Sequence, residues 1–299
     1  MARRIFVVML NWNQEADTRE CLDSIRRCDD PRLTVLVVDN GSRDGSPQRL
    51  AAAFPEVTVL CQPRNLGFAA GNNVGIEHAL REGADRIMLL NNDTLVDPAL
   101  VEPLDGALDR LPQIGVVGPK IYCYPEVDTL WSAGGQIDWS QGRQFHIGAG
   151  ERDLGQYDLE RQVDYVSACC LLARREVFER AGLLDARYFI YFEETAWSMR
   201  AARRGFLSLY VPKSRIWHKV SAAMGTGSPD STYYLTRNRL LFLTEHGPEA
   251  RRKFYRYFYT TRPLRSALTL LARGRGVHAR AILEAILDFY TGRFGERRR

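Results

Sequence analysis

Ile87-Met88-Leu89-Leu90-Asn91-Asn92-Asp93-Thr94 sets an unbroken apolar run directly before an amide-amide-carboxylate triplet. A short apolar run bounded by polar residues is what a strand buried on both faces requires. The carboxyl end of such a strand is where ligands gather in open α/β sheets. A single carboxylate there, completed by water and diphosphate oxygens, can hold Mg²⁺ or Mn²⁺, ions that favour oxygen and lose water reluctantly. Turn chemistry competes with this reading, because Asn and Asp both favour turns. The triplet alone does not choose between them.

Upstream, apolar runs alternate with amphipathic stretches: 5–10 then a helix over 15–27, 33–38 then 46–54, 57–60 then 68–81, and 86–90 then 98–111. A βαβα series of this kind predicts a mostly parallel sheet flanked by helices. A fifth strand is expected over 116–121. The pieces around Trp131-Ser132-Ala133-Gly134-Gly135 and Phe145-His146-Ile147-Gly148 are short, aromatic and rich in glycine, which suggests a small antiparallel region. Regular pattern returns over 163–173, with helices over 175–181 and 194–204 and a last strand over 207–211. Beyond Ser231 the period is helical to the end, and Gly225-Thr226-Gly227-Ser228-Pro229 is the best candidate hinge.

The chain has 299 residues, 45% hydrophobic and 26% charged, enough for one large α/β domain with an appendage. Its six cysteines form no CxxC pair, which argues against a zinc site or a disulfide framework and fits a reducing cytoplasm. Ala2-Arg3-Arg4 leads straight into 5–10, too short for a secretory apolar region and better read as a first strand. No stretch reaches the length of a membrane span. The net charge of +5 is uneven: from Glu249 onward thirteen Lys or Arg face four Asp or Glu, giving +9 there and −4 in the rest.

After successive strands come polar clusters: Asn11 and Asn13, then Asp39-Asn40-Gly41-Ser42, then Arg64-Asn65, then the triplet. In a parallel sheet these tips share one edge. No GxGxxG follows the first strand, so a dinucleotide-binding Rossmann site is not expected. Asp39 could accept from a pyrimidine N–H, a wrong base then costing about 1 to 3 kcal/mol; a turn cap before Ser42 is the alternative. Gly67, Gly71 and Gly75 recur at every fourth residue and leave one helix face bare, with Asn65 and Asn72 beside them. Further on, Glu193-Glu194 follow Tyr188-Phe189-Ile190-Tyr191-Phe192. Acids suit the first turn of a helix in any case, but a carboxylate walled by aromatics would have the raised pKa that a general base needs. His218 stands alone after an apolar stretch, where a structural histidine is the commoner reading.

Taken in order, Val37-Val38-Asp39-Asn40-Gly41-Ser42, Asn65-Leu66-Gly67-Phe68-Ala69-Ala70-Gly71-Asn72, Leu90-Asn91-Asn92-Asp93, Tyr191-Phe192-Glu193-Glu194, His218 with Ser221, and Tyr234-Leu235-Thr236-Arg237-Asn238 resemble the inverting glycosyltransferases of family 2. The resemblance implies a GT-A fold: a catalytic domain over 1–228, with a nucleotide-sugar half over 1–122 and an acceptor half over 123–228, followed by a basic helical region over 229–299. It implies Asp39 at the nucleobase, and Asn11, Asn65, Gly67, Asn72, Asn91 and Asn92 about the donor. Asp93 would ligate a Mg²⁺ or Mn²⁺ bridging the diphosphate, with His218 as a further ligand. Glu193-Glu194 align with the family's Glu-Asp pair, so Glu194 would be the base, one methylene longer than the family's aspartate. Asn91 stands where the family has its first Asp, which removes a negative charge. Trp131, Trp197 and Arg200 are expected on the acceptor side.

The subgroup most resembled moves deoxyhexoses such as rhamnose from dTDP-sugars onto a cell-surface glycan or lipid-linked acceptor. The Gln-x-x-Arg-Trp element of processive synthases is missing. A catalytically impaired sugar-nucleotide-binding scaffold is the alternative that Glu194 and Asn91 raise, while a nucleotidyltransferase is disfavoured because 11–18 contains neither glycine nor a base. In the tail, Phe254, Tyr255, Tyr257, Phe258 and Tyr259 mix with Arg256 and Arg262, and 281–287 is apolar at helical spacing. Such a surface would suit the anionic inner face of the plasma membrane; helices packed on the domain are the equal alternative. No nucleic-acid motif accompanies the arginines, and the oligomeric state, homodimer included, stays open.

Overall fold

The computed structural model describes residues 3–220 and 227–298. Its first half runs β1 (Ile5–Asn11), α1 (Glu15–Arg26), β2 (Leu33–Asp39), α2 (Ser46–Ala53), β3 (Thr58–Cys61), α3 (Gly67–Arg81) and β4 (Arg86–Asn91). β1 pairs in parallel with β2 and β4, and β2 with β3. The reason these strands are apolar at nearly every position lies in the pleat: Ile5, Val7 and Met9 enter one hydrophobic cluster while Phe6 and Val8 enter another on the opposite face. α3 lies close on this sheet, since a Cβ at Gly75 would stand 2.3 Å from Val8 Cγ1 and one at Gly71 2.6 Å from Leu10 Cδ1.

The chain continues through β5 (Thr94–Val96), α4 (Val101–Arg110), β6 (Ile114–Cys123), β7 (Leu130–Ser132), β8 (Gly135–Asp138), β9 (Arg143–His146), β10 (Arg161–Val163), β11 (Cys170–Arg174) and α5 (Arg175–Ala181). A 3-10 turn at Ala186–Tyr188 leads to α6 (Glu193–Arg203), β12 (Leu207–His218), α7 (Pro229–His246), α8 (Glu249–Ala272) and α9 (Gly276–Tyr290). The main sheet has the order β10-β12-β6-β11-β4-β1-β2-β3, with β5 on β12 and β7 on β6; β8 and β9 form a separate antiparallel pair. β6 and β12 are parallel, whereas β11 runs antiparallel to both β4 and β6. The α/β architecture expected from the sequence is present: a mostly parallel sheet flanked by helices, a small antiparallel sheet and C-terminal helices.

Two departures from the sequence reading shape the site. The last strand does not stop at 211: an irregularity between Val211 and Arg215 lets β12 keep pace with β6 as far as His218. Residues 94–96 after the triplet, given no element in the sequence reading, form β5 and pair with that extension, Thr94 opposite His218. Helices α7 to α9 share one hydrophobic cluster with Ile137, Tyr165, Tyr188 and Phe192. Ser221, Gly225 and Thr226 of the sequence analysis lie outside the described residues, while Ser228 caps α7 by accepting from Ser231 N. Among the described residues no helix is long and apolar enough to cross a membrane.

Candidate active site

The four strand tips meet through hydrogen bonds. Asn11 Nδ2 donates to Asp39 Oδ1 at 2.8 Å and to Ser46 Oγ at 2.9 Å, and its Oδ1 accepts from Thr18 Oγ1 at 2.9 Å. Thr18 in turn accepts from Asn92 Nδ2 at 2.9 Å. A chain from Asp39 through Asn11 and Thr18 to Asn92 therefore ties β2 and β1 to the triplet. The other oxygen of Asp39 accepts from Ser42 N at 3.0 Å, so the turn cap weighed above is present. On the third tip, Asn40 Nδ2 donates to Asn65 Oδ1 at 2.9 Å, and Asn65 Oδ1 also accepts from Gly67 N at 2.8 Å. Gly67 has a φ of +82°, and a Cβ there would stand 2.5 Å from the Phe189 ring; only glycine fits both conditions.

These tips open on a cavity of about 430 Å³ lined by Trp12, Asn65, Gly67, Asn91, Asn92, Asp93, Trp131, Tyr191 and His218, among others. Asp93 and His218 are both 7% exposed, with His218 Nε2 3.2 Å from Asp93 Oδ1. His218 Nδ1 is buried without a hydrogen-bond partner. No cluster of three or more His, Cys, Asp or Glu suited to a metal occurs among the described residues. The donor set is thus one carboxylate and one imidazole, which fits a hard or borderline divalent ion only if other oxygens complete its shell.

Trp131 stands edge-on to His218, centroids 4.8 Å apart, and lies against His146 at 4.3 Å with the rings tilted by 37°. His146 meets Tyr165 at 5.8 Å, and its Nδ1 is 3.0 Å from Ser132 Oγ. Burial, reinforced by His218, pushes the His146 pKa down to about 4. This histidine was passed over in the sequence because nothing near it in the chain suggests chemistry.

Glu193 and Glu194 open α6 and are reached through a strained approach. Phe189, Tyr191 and Phe192 all have positive φ, at 64°, 68° and 76°, a conformation that costs of order 1 to 3 kcal/mol per residue and persists only when neighbours over-determine it. The neighbour is α7: Asn238 Nδ2 donates to the carbonyls of Tyr188, Ile190 and Tyr191 at 2.8, 2.7 and 3.0 Å, and Arg237 Nη2 to those of Arg187 and Tyr188 at 3.0 and 3.1 Å. Each acid has one oxygen buried with no hydrogen-bond partner. Burial raises the pKa of both, and for Glu193 the adjacent Glu194 charge adds to it. The residues lining the cavity include Tyr191 but neither acid.

Besides the two acids, five expected site residues are off the cavity lining: Asn11 and Asp39, which belong to the hydrogen-bond chain above, and Asn72, Trp197 and Arg200. Trp197 is fully buried, donates Nε1 to Gly182 O at 2.7 Å and stacks on Phe178, so it belongs to the core and not to an acceptor wall. Arg200 is turned to the carbonyl of Leu183. Asn72 donates back to Phe68 O at 2.9 Å within α3 and does not line the cavity. Helical period placed Trp197 and Arg200 on the helix after the acids, but it could not say which face the helix would bury. Conversely Thr18, Asn40 and Asn238 were given no role in the sequence, although Asn40 and Asn238 fall inside quoted motifs.

The model of Glycosyl transferase family 2 matches residues 6–182. The N-acetylglucosaminyl-diphospho-decaprenol L-rhamnosyltransferase of Mycobacterium tuberculosis is 28% identical over 245 residues, 73% of this chain and 77% of that protein. The dTDP-rhamnosyl transferase RfbF of Shigella flexneri is 25% identical over 260 residues, 82% of each. In fold, the chain is similar to the mannosyltransferase of Pyrobaculum calidifontis solved with GDP-Man and Mn2+, with a TM-score of 0.57 at 16% identity, covering 97% of this chain and 88% of that one. The fold is GT-A, and the chain belongs to glycosyl transferase family 2, as a glycosyltransferase.

Proposed function

We propose that the protein transfers a sugar, with dTDP-rhamnose or a related deoxyhexose as the favoured donor, to a hydroxyl of a cell-surface glycan or lipid-linked acceptor, inverting the anomeric centre in one displacement. The observation that carries this reading is the convergence on one cavity of Asn65, Gly67, Asn91, Asn92, the Asp93–His218 pair and Trp131, within reach of the chain that begins at Asp39. The two rhamnosyltransferase relatives favour the deoxyhexose.

Asp39, held by Asn11 and Ser42, places a carboxylate acceptor at the nucleobase end. Asn65 and the bare backbone at Gly67 let the donor lie against the sheet edge, while Asn91 and Asn92 orient it. Asp93 and His218 would hold Mg²⁺ or Mn²⁺, which when bound offsets negative charge on the departing diphosphate. Trp131 supplies an apolar face for the acceptor sugar. Glu194, its pKa raised by burial, takes the acceptor hydroxyl proton as that oxygen attacks; Glu193 beside it keeps the pair from ionising together. Phe189 to Phe192, pinned by Asn238, fixes the start of α6 and hence the acids.

The helical region after residue 228 is read as the membrane-facing part. Leu268, Leu271, Leu283 and Leu287 are 68%, 51%, 45% and 55% exposed on α8 and α9, among arginines, a combination suited to an anionic bilayer surface. The aromatics named in the sequence analysis divide: Tyr255 and Tyr259 are buried against the β8–β9 turn, while Phe254 and Tyr257 face outward.

The test is a panel of dTDP-, UDP- and GDP-sugars scored by thermal shift with Mg²⁺ or Mn²⁺, since a ligand that binds the native state stabilises it. The product anomer formed from the donor that binds is then read by NMR. A retained anomeric configuration, or no donor that stabilises the protein, defeats this reading.

A further inference from the structure

Arginines from three separate elements converge on Tyr259. The Arg239 guanidinium on α7 lies 5.3 Å from the centroid of the Tyr259 ring, and the Tyr259 hydroxyl donates to Gln141 O in the β8–β9 turn at 2.5 Å. Arg143, at the start of β9, donates to the Gln141 side chain at 3.3 Å. Arg262 follows Tyr259 by one turn of α8, a spacing that puts both on one helix face, and its guanidinium is 5.6 Å from the Phe258 ring.

Among the described residues none of the three is paired with a carboxylate within ion-pair distance, and Arg239 Nε is buried with no acceptor at all. Asp138 stands opposite Arg143 across the β8–β9 ladder and feels its charge, yet lies beyond ion-pair distance, its Oδ1 accepting from Ser140 N at 2.8 Å, Ser140 Oγ at 2.5 Å and Gln141 N at 3.3 Å. Burial lowers the Arg239 pKa, and the charges of Arg143 and Arg262 lower it further. The rings of Phe192, Phe258 and Tyr259 take up the faces of Arg239 and Arg262, but no carboxylate among the described residues stands within ion-pair distance of the three, so much of their mutual repulsion stays uncompensated. Planar guanidinium forks match phosphate oxygens, and Arg143 and Arg262 are exposed to receive them. The cluster also adjoins the acids: Arg239 is 5.9 Å from the ring of Phe192, the residue before Glu193.

We propose that Arg143, Arg239 and Arg262 form an anion subsite for the diphosphate of a lipid-linked acceptor, holding it while the acceptor's sugar hydroxyl reaches the acids of α6. The assignment of the diphosphate to an acceptor rests on the lipid-linked reading above. The arginine cluster itself does not. The same helix that supplies Arg262 carries the exposed Leu268 and Leu271, which gives the lipid end of such a molecule an apolar surface to follow.

The full chain is compared as wild type, as Arg239→Gln, and as the exposed pair Arg143→Gln with Arg262→Gln, which spares the half-buried position if the first variant folds poorly. Titration calorimetry with inorganic pyrophosphate, without divalent cation, should show affinity falling roughly tenfold or more in both variants, each tenfold being about 1.4 kcal/mol. Stabilisation by nucleotide donor should be unchanged. With a sugar-diphosphate-lipid acceptor, KM should rise by a similar factor at constant kcat, whereas KM for the same sugar as a simple alkyl glycoside should not move. Equal pyrophosphate affinity in all three proteins overturns the site. Loss of binding to phosphatidylglycerol vesicles, with pyrophosphate affinity and diphosphate-acceptor KM intact, overturns it in favour of a bulk headgroup surface. If wild type uses neither acceptor, the acceptor reading fails, and the pyrophosphate titration still decides the arginine site.

Discussion

The side-chain amide of Asn238 donates to the carbonyl of Tyr191 at 3.0 Å, and so fixes a residue of positive φ two positions before the first acid of α6. The same nitrogen serves Tyr188 and Ile190. Asn238→Leu, of similar size, removes the donor that serves the Ile190 and Tyr191 carbonyls, while Tyr188 O keeps Arg237, at about 1 to 3 kcal/mol for each carbonyl that water does not reach. The expected outcome is a clear drop in unfolding temperature together with a fall in kcat larger than the rise in KM. An unchanged kcat in a folded Asn238→Leu protein contradicts the link between this clamp and the acids.

Gly67→Ala tests the donor edge. Its φ of +82° and the 2.5 Å approach to Phe189 mean that any side chain both strains the backbone and displaces the ring. Donor-induced thermal stabilisation should largely vanish, and stability should fall by at least about 1 kcal/mol. A variant that binds donor as well as wild type rules out a close donor approach at this backbone.

The acid pair predicts a pH signature of definite sign. A carboxyl whose folded pKa lies above its unfolded one binds more protons in the native state, so stability is highest below the ordinary value of 4.5 and declines as pH rises from there through the raised value. Glu193→Gln should remove most of that decline in a series of unfolding temperatures across pH. His146 acts on the acid side: with its pKa pushed down to about 4, its contribution is complete above about 6.5 and is lost as pH falls toward 4. His146→Phe should flatten that limb, whereas an unaltered limb assigns the acid sensitivity elsewhere.

Membrane contact through α8 and α9 is checked by sedimentation with phosphatidylglycerol vesicles. Leu268→Asp with Leu287→Asp should abolish recovery with the vesicles while leaving donor stabilisation intact, because both side chains face solvent at 68% and 55% exposure. High salt should weaken the wild-type interaction, since arginine attraction to anionic lipid is screened. Equal recovery of wild type and variant rules out this surface.

Much of the fold was legible because its signal is local. The apolar run 86–90 and its neighbours alternate with helical stretches, and β4 spans Arg86–Asn91. What escaped was set by distant pairing. The extension of β12 to His218 depends on an irregularity beside β6, and it is this extension that brings His218 to Asp93. Trp197 and Arg200 were placed by helical spacing, yet the burial of Trp197 against Phe178 follows from where α5 packs. Asn238 stood in a recognised motif, but its partners lie about fifty residues earlier, beyond the reach of any local pattern.

Turnover of the donor that binds, in the presence of Mg²⁺ or Mn²⁺ and with an acceptor, by wild type and Glu194→Gln tests the central claim most directly. Wild type should release nucleoside diphosphate and glycosylated product. Glu194→Gln should keep donor-induced stabilisation while its rate falls by about a hundredfold or more, the usual contribution of a positioned base. Equal rates in the two proteins, or two proteins equally inert across the panel, would contradict it.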